Sequence, residues 1–329
     1  MNDMQACETP AQPAKTVPDS FPLTVRGFDS ESHAMEFGQL LVAYVGEFSR
    51  YMNLSQLDGV TVAYDYAQAL LDLERGYASS QGLAPSAGDT VGIAMTPSVI
   101  RAGQVKSHIV VHAGYIQPLE NSDDENYGFA VHTLAHECAH VEVTHRFNTS
   151  FPGVLLQRSY SDLQENFRWQ TILACWDEYA ATFISAKYGT PNTVGYEDTF
   201  ISALETARSR VSDLIQAYRL HGDVVRILQE VYGAMGNVLK FSAYHLGNLA
   251  GIDITWTDMP RTTAALNGHW FRSYFVRLDE ACRTIGSSYG CWVDESAFGV
   301  IGDLVDELVA DAGLYVTKNV DGALYVDIP

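Results

Sequence analysis

The chain has 329 residues, 47% of them hydrophobic and 18% charged, a composition that excludes disorder and leaves room for one large domain or two ordinary ones. With 20 Lys and Arg against 40 Asp and Glu its formal net charge is −20, which speaks against nucleic acid and anionic membrane surfaces as partners, since both require a basic face. No apolar run approaches the roughly 18–20 residues of a membrane span, and the N-terminal MNDMQACETPAQPAKTVPDS lacks the apolar stretch of a secretory signal.

Residues 1–20 carry Pro10, Pro13 and Pro18 among small polar residues and are expected as a flexible tail. From Ser30 to Met52 the residues Met35, Phe37, Leu40, Leu41, Tyr44, Val45, Phe48 and Met52 recur at helical spacing, with Ser30 or Ser32 as the cap. GVTVAYDY at 59–66 begins as a strand, and a short helix follows at about 67–74. Strands are expected at 91–95 (VGIAM) and 108–116 (HIVVHAGYI), joined by a loop containing Pro97, Gly103 and Lys106. After Tyr127 the pattern is helical. One helix covers 128–145, and Asn148, Pro152 and Gly153 break the chain at 147–153. A long helix at 161–188 stops at Gly189, with Pro191 beyond. Helices follow at about 196–220 and 223–247, parted by Gly222, then at 262–285 and 295–312. The closing GLYVTKNVDGALYVDIP reads as a hairpin turning at Asp321-Gly322. The fold class is therefore α+β and helix-dominated, with strands before residue 117 and after 313.

Cys7, Cys138, Cys175, Cys282 and Cys291 are odd in number and irregularly spaced, so reduced thiols and a cytoplasmic location are expected; a Cys282–Cys291 pair stays open. No GxGxxG or GxxxxGK[ST] phosphate loop occurs, and the five Trp read as core.

The informative segment is VHTLAHECAHVEVTH at 131–145, which contains the HExxH His136-Glu137-Cys138-Ala139-His140. Two His four apart on a helix share one face, about 6 Å apart along the axis, and can hold one Zn2+ through ring nitrogens. Glu137, about 100° around the helix, can serve as a base without being a ligand. Phe129, Val131, Leu134, Ala135, Cys138, Ala139, Val141 and Val143 make this a core helix, so its polar stripe demands a reason. Cys138 faces away from His136. His132 takes a supporting or capping role, and His145, about 140° from His140, points elsewhere.

A catalytic zinc site takes three protein ligands and keeps one position open. Val143 and Arg146 exclude the metzincin continuation, and Tyr160 excludes the thermolysin-like spacing. The best third ligand is Glu178 in CWDEYAATFISAKYG at 175–189, an acid in an otherwise apolar helix beside Ala174, Ala180 and Ala181, which let two helices approach closely. Asp177, Glu165 and the Glu197/Asp198 pair compete. Asp177 is turned away from Glu178, and Glu165 sits in polar first turns where the helix dipole favours an acid.

With HExxH on one helix and Glu178, Ala180, Ala181 and Phe183 on the next, the chain resembles the gluzincin type of zinc metallopeptidase, and within it is similar to the ImmA/IrrE-like metallopeptidases. The resemblance covers about residues 60–190. It departs at Thr182, where gluzincins carry Asp, and no helix-turn-helix module is evident. It implies a zincin-like arrangement, a small mixed or antiparallel sheet packed on the HExxH helix. It also implies an edge strand that pairs with extended substrate. The strand at 108–116 stands in the right place, an ordinary sheet strand being the alternative. A Tyr or His from a later helix would complete the oxyanion pocket; Tyr244 and His245 are available, with a buried, satisfied pair as the alternative.

The expectation is a Zn2+-dependent metallopeptidase acting on a peptide or protein. His136, His140 and Glu178 are its metal ligands and Glu137 its general base. The alternatives are an inactive zinc-stabilised scaffold, its site closed by a fourth ligand such as His132, and a metal-dependent hydrolase of a non-peptide substrate. The peptidase core is expected at 21–190, and a helical block with the terminal hairpin at 191–329 in the same globule.

Overall fold

Ser30, not Ser32, starts the first helix: its side chain accepts a hydrogen bond from His33 N, satisfying one of the free amides of the first turn. In the computed structural model the described residues are 12–79, 82–86 and 92–329. The elements in chain order are β1 (Leu23–Arg26), α1 (Glu31–Phe48), β2 (Leu57–Ala63), α2 (Tyr66–Leu71), β3 (Ala94–Met95), β4 (Ser98–Arg101), β5 (Gln104–His112), α3 (Ala113–Ile116), α4 (Tyr127–Ser150), α5 (Leu163–Ser185), α6 (Thr193–His221), α7 (Val224–Gly251), α8 (Pro260–Leu266), α9 (Arg272–Ser287), α10 (Gly299–Asp311), β6 (Tyr315–Lys318) and β7 (Leu324–Asp327). This is a helix-dominated α+β fold, with a small mixed sheet and a C-terminal antiparallel hairpin.

β1, β2 and β5 run parallel, with Val60 opposite Ile109 and Val62 opposite Val111. β3 and β4 pair antiparallel to β5 on its other side. Of the two positions open to this strand, edge or interior of the sheet, it takes the interior one, flanked on both sides, and it ends at His112 rather than 116. The reason lies in the segment read as a loop. Residues 98–107 form a hairpin whose turn residues Ala102 and Gly103 have φ of 50° and 77°, the left-handed geometry of a two-residue turn. Pro97 lies just outside it, and Gly103 marks the turn itself. The outer position beside β5 falls to β3, the remnant of the strand expected at 91–95; Val91 lies outside the described residues.

α4 carries two cores. Its residues Ala130, Leu134, Ala135, Cys138, Ala139 and Val141 pack with Val60, Val62, Ile109 and Val111 of the sheet and with α1. Further along, Val143 and Phe147 join a larger core built by α5, α6, α7, α9 and α10 around Trp176, Phe200, Tyr232, Phe275 and Phe298. α4 runs through the break expected at 147–153 and stops at Phe151, because the residue before Pro152 is driven out of the helical region. The helix expected at 262–285 is two helices, parted at Gly268, whose φ is +69°.

α5 packs most extensively on α7, so the block after residue 190 shares its principal helix with the sheet half. Of the expected tail, residues 1–11 lie outside the described residues. Thr16 is tied down, bonding Ser49 O and Met52 O through its hydroxyl and accepting from Leu54 N. Cys138, Cys175, Cys282 and Cys291 are free thiols. No helix among the described residues is long and apolar enough to cross a membrane.

Candidate metal centre

α4 and α5 cross so that His136, His140 and Glu178 meet. The Nε2 atoms of His136 and His140 are 3.0 Å apart, and Glu178 Oε2 lies 3.7 Å and 3.5 Å from them. Tetrahedral Zn2+ with ligand bonds of about 2.0–2.1 Å separates its donors by roughly 3.3 Å, so the three atoms are near the spacing one ion imposes. Glu178 Oε2 is buried without a hydrogen-bond partner, a costly state that a cation would relieve. Among the described residues these three alone form a potential metal-binding cluster. The residues present fit a zinc ion.

The supporting contacts fix both imidazoles. Asp177 Oδ2 accepts from His140 Nδ1 at 2.9 Å, which turns His140 Nε2 toward the cluster. Ser185 Oγ lies 3.4 Å from His136 Nδ1 and does the same for its neighbour. Asp177, weighed as a ligand, therefore orients one instead. Asp177→Ala is expected to weaken zinc affinity about 10–100-fold while leaving three ligands in place, read by competition with a fluorescent chelator.

Electrostatics follow from burial and these neighbours. Burial, followed by the adjacent His140 and His132, holds His136 well below the ordinary histidine value. Burial would lower His140 too, but the Asp177 and Glu178 carboxylates override it and lift the ring to about 10. Burial raises Glu178 to about 7, against the pull of His140, Lys240 and the Tyr244 hydroxyl bonded to it. A metal and a proton therefore compete for His140.

Glu137 is buried beside the cluster without belonging to it. Burial raises its carboxyl, opposed by His140 and by the Thr96 hydroxyl, which donates to Glu137 Oε2 at 2.6 Å. Thr96 directly follows β3, so the sheet's outer strand and α4 are joined at the site.

The three donors and Glu137 lie in the wall of a cavity of about 350 Å³, lined also by Met95 and Thr96 from the sheet side, Tyr196 from α6, and Lys240, Phe241 and Tyr244 from α7. The helical block thus closes one side of the cleft. α7 reaches α5 because Gly236, Gly247 and Gly251 face it. A Cβ at Gly247 would lie 2.2 Å from both Thr182 Oγ1 and Tyr179 O. Thr182, where gluzincins carry Asp, spends its hydroxyl on Glu178 O at 2.7 Å.

His132 does not join the donors. Its Nδ1 faces the carbonyls of Ser185 and Tyr188 at 3.3 Å each, at the end of α5, and its Nε2 accepts from the Tyr196 hydroxyl at 3.1 Å. The other competitors are engaged elsewhere. Glu165 accepts from Ser161 N and Oγ at the start of α5, Glu197 from Thr262 N and Oγ1, and Asp198 pairs with Arg261. The Tyr244–His245 pair splits. Tyr244 stacks on His136 with ring centroids 6.0 Å apart, whereas His245 turns into the α6–α8 interior, where its Nε2 bonds Thr262 Oγ1 at 2.8 Å.

Sequence reasoning missed Thr96, Tyr196 and Lys240. Thr96 and Tyr196 gave no periodic signal. Lys240 gave one: past its first two turns α7 carries this single Lys or Arg, between Leu239 and Phe241 and four residues before Tyr244. No family model, curated protein or solved structure matches the chain.

Proposed function

We propose that the protein is a zinc-dependent peptidase in which His136, His140 and Glu178 hold Zn2+ and Glu137 is the general base. The observation that carries this reading is the placement of Glu137. It is the residue beside a ligand, held by Thr96, in the wall of a cavity whose metal cluster has three protein donors and, among the described residues, no fourth. A purely structural zinc would be closed by a further ligand, and His132 Nε2, the nearest in sequence, is taken by Tyr196.

Zn2+ held by His136, His140 and Glu178 would supply Lewis acidity and would lower the pKa of water toward neutrality. The chain's own groups supply the rest. Glu137 takes the proton from the attacking water, a transfer its raised pKa favours, and returns it to the leaving nitrogen as the C–N bond breaks. Thr96 holds the carboxyl in position through both transfers. Asp177 and Ser185 keep the imidazoles aimed at the ion.

A peptide fits this cleft better than a compact substrate. β3 lies at the rim of the sheet and lines the cavity, so an extended chain can add to it through backbone hydrogen bonds. Free thiols, three of them buried, are consistent with a reducing, cytoplasmic setting.

The test is cleavage of an unfolded protein mixture, read by mass spectrometry of new termini. New termini that vanish with chelator and return with Zn2+ are expected. Their absence with zinc-loaded protein across unrelated mixtures would overturn the reading.

A further inference from the structure

Lys240 is the one Lys or Arg side chain lining the cavity, among the described residues. Most arginines of this acidic chain are bound to carboxylates, as in Arg26–Asp72, Arg101–Asp58, Arg168–Asp303 and Arg277–Glu307. Lys240 forms no such pair. It makes no ion pair or hydrogen bond among the described residues, although Asp177 and Glu178 stand on the adjacent helix and its charge is felt by Glu178. Its Nζ lies 4.9 Å from the centroid of the neighbouring Phe241 ring. An ammonium carries three donors, and a half-buried one with none committed is set to take an acceptor from the cavity.

The rest of the lining sharpens what that acceptor is. Glu137, Asp177 and Glu178 make the cleft acidic, and Ile93, Met95, Phe129 and Phe241 make other parts of it apolar. A substrate group carrying negative charge would be repelled everywhere except beside Lys240 and the metal centre. Resting on the peptidase reading, we infer that Lys240 is a specificity-determining residue that binds a carboxylate of the peptide substrate, so that the enzyme selects chains carrying a free C-terminal or side-chain carboxylate near the scissile bond.

Four heptapeptide pools test this: free C-terminal acid or C-terminal amide, each with or without an internal Asp or Glu. Zinc-loaded wild type, Lys240→Met and Lys240→Arg are compared by kcat/KM. Binding of the same pools is measured on Glu137→Gln and Glu137→Gln/Lys240→Met, whose folding is checked by circular dichroism. Wild type should prefer carboxylate-bearing pools by about tenfold or more, mainly through KM, as the loss of one charge-assisted hydrogen bond implies. Lys240→Met should collapse that ratio, and Lys240→Arg should restore much of it. Preference that follows the free terminus identifies a C-terminal carboxylate; preference that follows Asp or Glu in amidated peptides identifies a side chain. A wild-type ratio near one, or a Lys240→Met loss equal on all pools, would overturn the inference. If no pool is cleaved but Glu137→Gln binds carboxylate pools in a Lys240-dependent way, the recognition stands and the peptidase reading falls. Absence of both preferences sinks the inference outright.

Discussion

Glu137→Gln is expected to lower peptide turnover by about 10²–10⁴-fold, the share that positioned proton transfer supplies. The substitution keeps the side chain's shape and its contact with the Thr96 hydroxyl, since the amide oxygen can still accept that bond. It removes the carboxylate that stands beside the cluster without belonging to it and can take a proton from water. Zinc content should be unchanged, because Glu137 is not among the three convergent donors. Thermal stability should hold or rise slightly, since a buried carboxyl is replaced by a neutral amide. Single-turnover kinetics on zinc-loaded protein separate the chemical step from binding. Turnover within a few-fold of wild type would remove Glu137 from the mechanism, whereas loss of turnover together with loss of zinc would place it among the ligands.

Gly247→Ala is expected to destabilise the protein by about 1–3 kcal/mol or more, the cost of overpacking a fixed contact. The added methyl would lie 2.2 Å from Tyr179 O and from Thr182 Oγ1. Neither neighbour is a free chain end: one is backbone, and the other is bonded to Glu178 O. α5 and α7 must therefore separate or slide, which draws Tyr244 away from His136 and Glu178. Both a lower melting temperature and weaker zinc retention should follow. Gly233→Ala on the same helix provides the contrast. Nothing lies within 4 Å of its Cβ position, so it should be neutral or stabilising by up to about 1 kcal/mol through helix propensity. Equal effects of the two in calorimetry would show that the close α5–α7 approach does not support the site.

The legible parts of the fold were those set by long periodic runs. α1 and the helices from α4 to α7 follow their apolar spacing, and Gly222 ends α6 with a φ of +67°. The sheet was harder. β1 is four residues, and β4 hides behind Pro97 in a segment whose turn signal, Gly103, also reads as an ordinary loop. Without that hairpin nothing in the sequence decides between an edge and an interior position for β5, which is interior. Helix ends near Pro152 and Gly268 moved because a helix tolerates Asn148, while Asn267-Gly268 stops one.

At the site, spacing within α4 brought His136 and His140 onto one face, and an acid among alanines pointed to Glu178. Which element would complete the cleft could not be read, because it depends on how α7 crosses α5. The small-residue face of α7 at Gly236, Gly247 and Gly251 carries that information, but only once its partner helix is known. Thr96 reaches Glu137 through the sheet register, which no local pattern encodes. Tyr244 and His245 show the limit plainly. Adjacent polar residues in one apolar helix point about 100° apart, so one faces the cleft and the other the interior.

The most direct test of the metal centre is zinc per chain by elemental analysis, on wild type purified without chelator and on Glu178→Ala. About one zinc in wild type, with clear loss in the variant, is the expected result for a site of three convergent donors. Zinc-free wild type that also fails to take up added Zn2+ would contradict the account, and full retention in Glu178→Ala would discard Glu178 as a ligand.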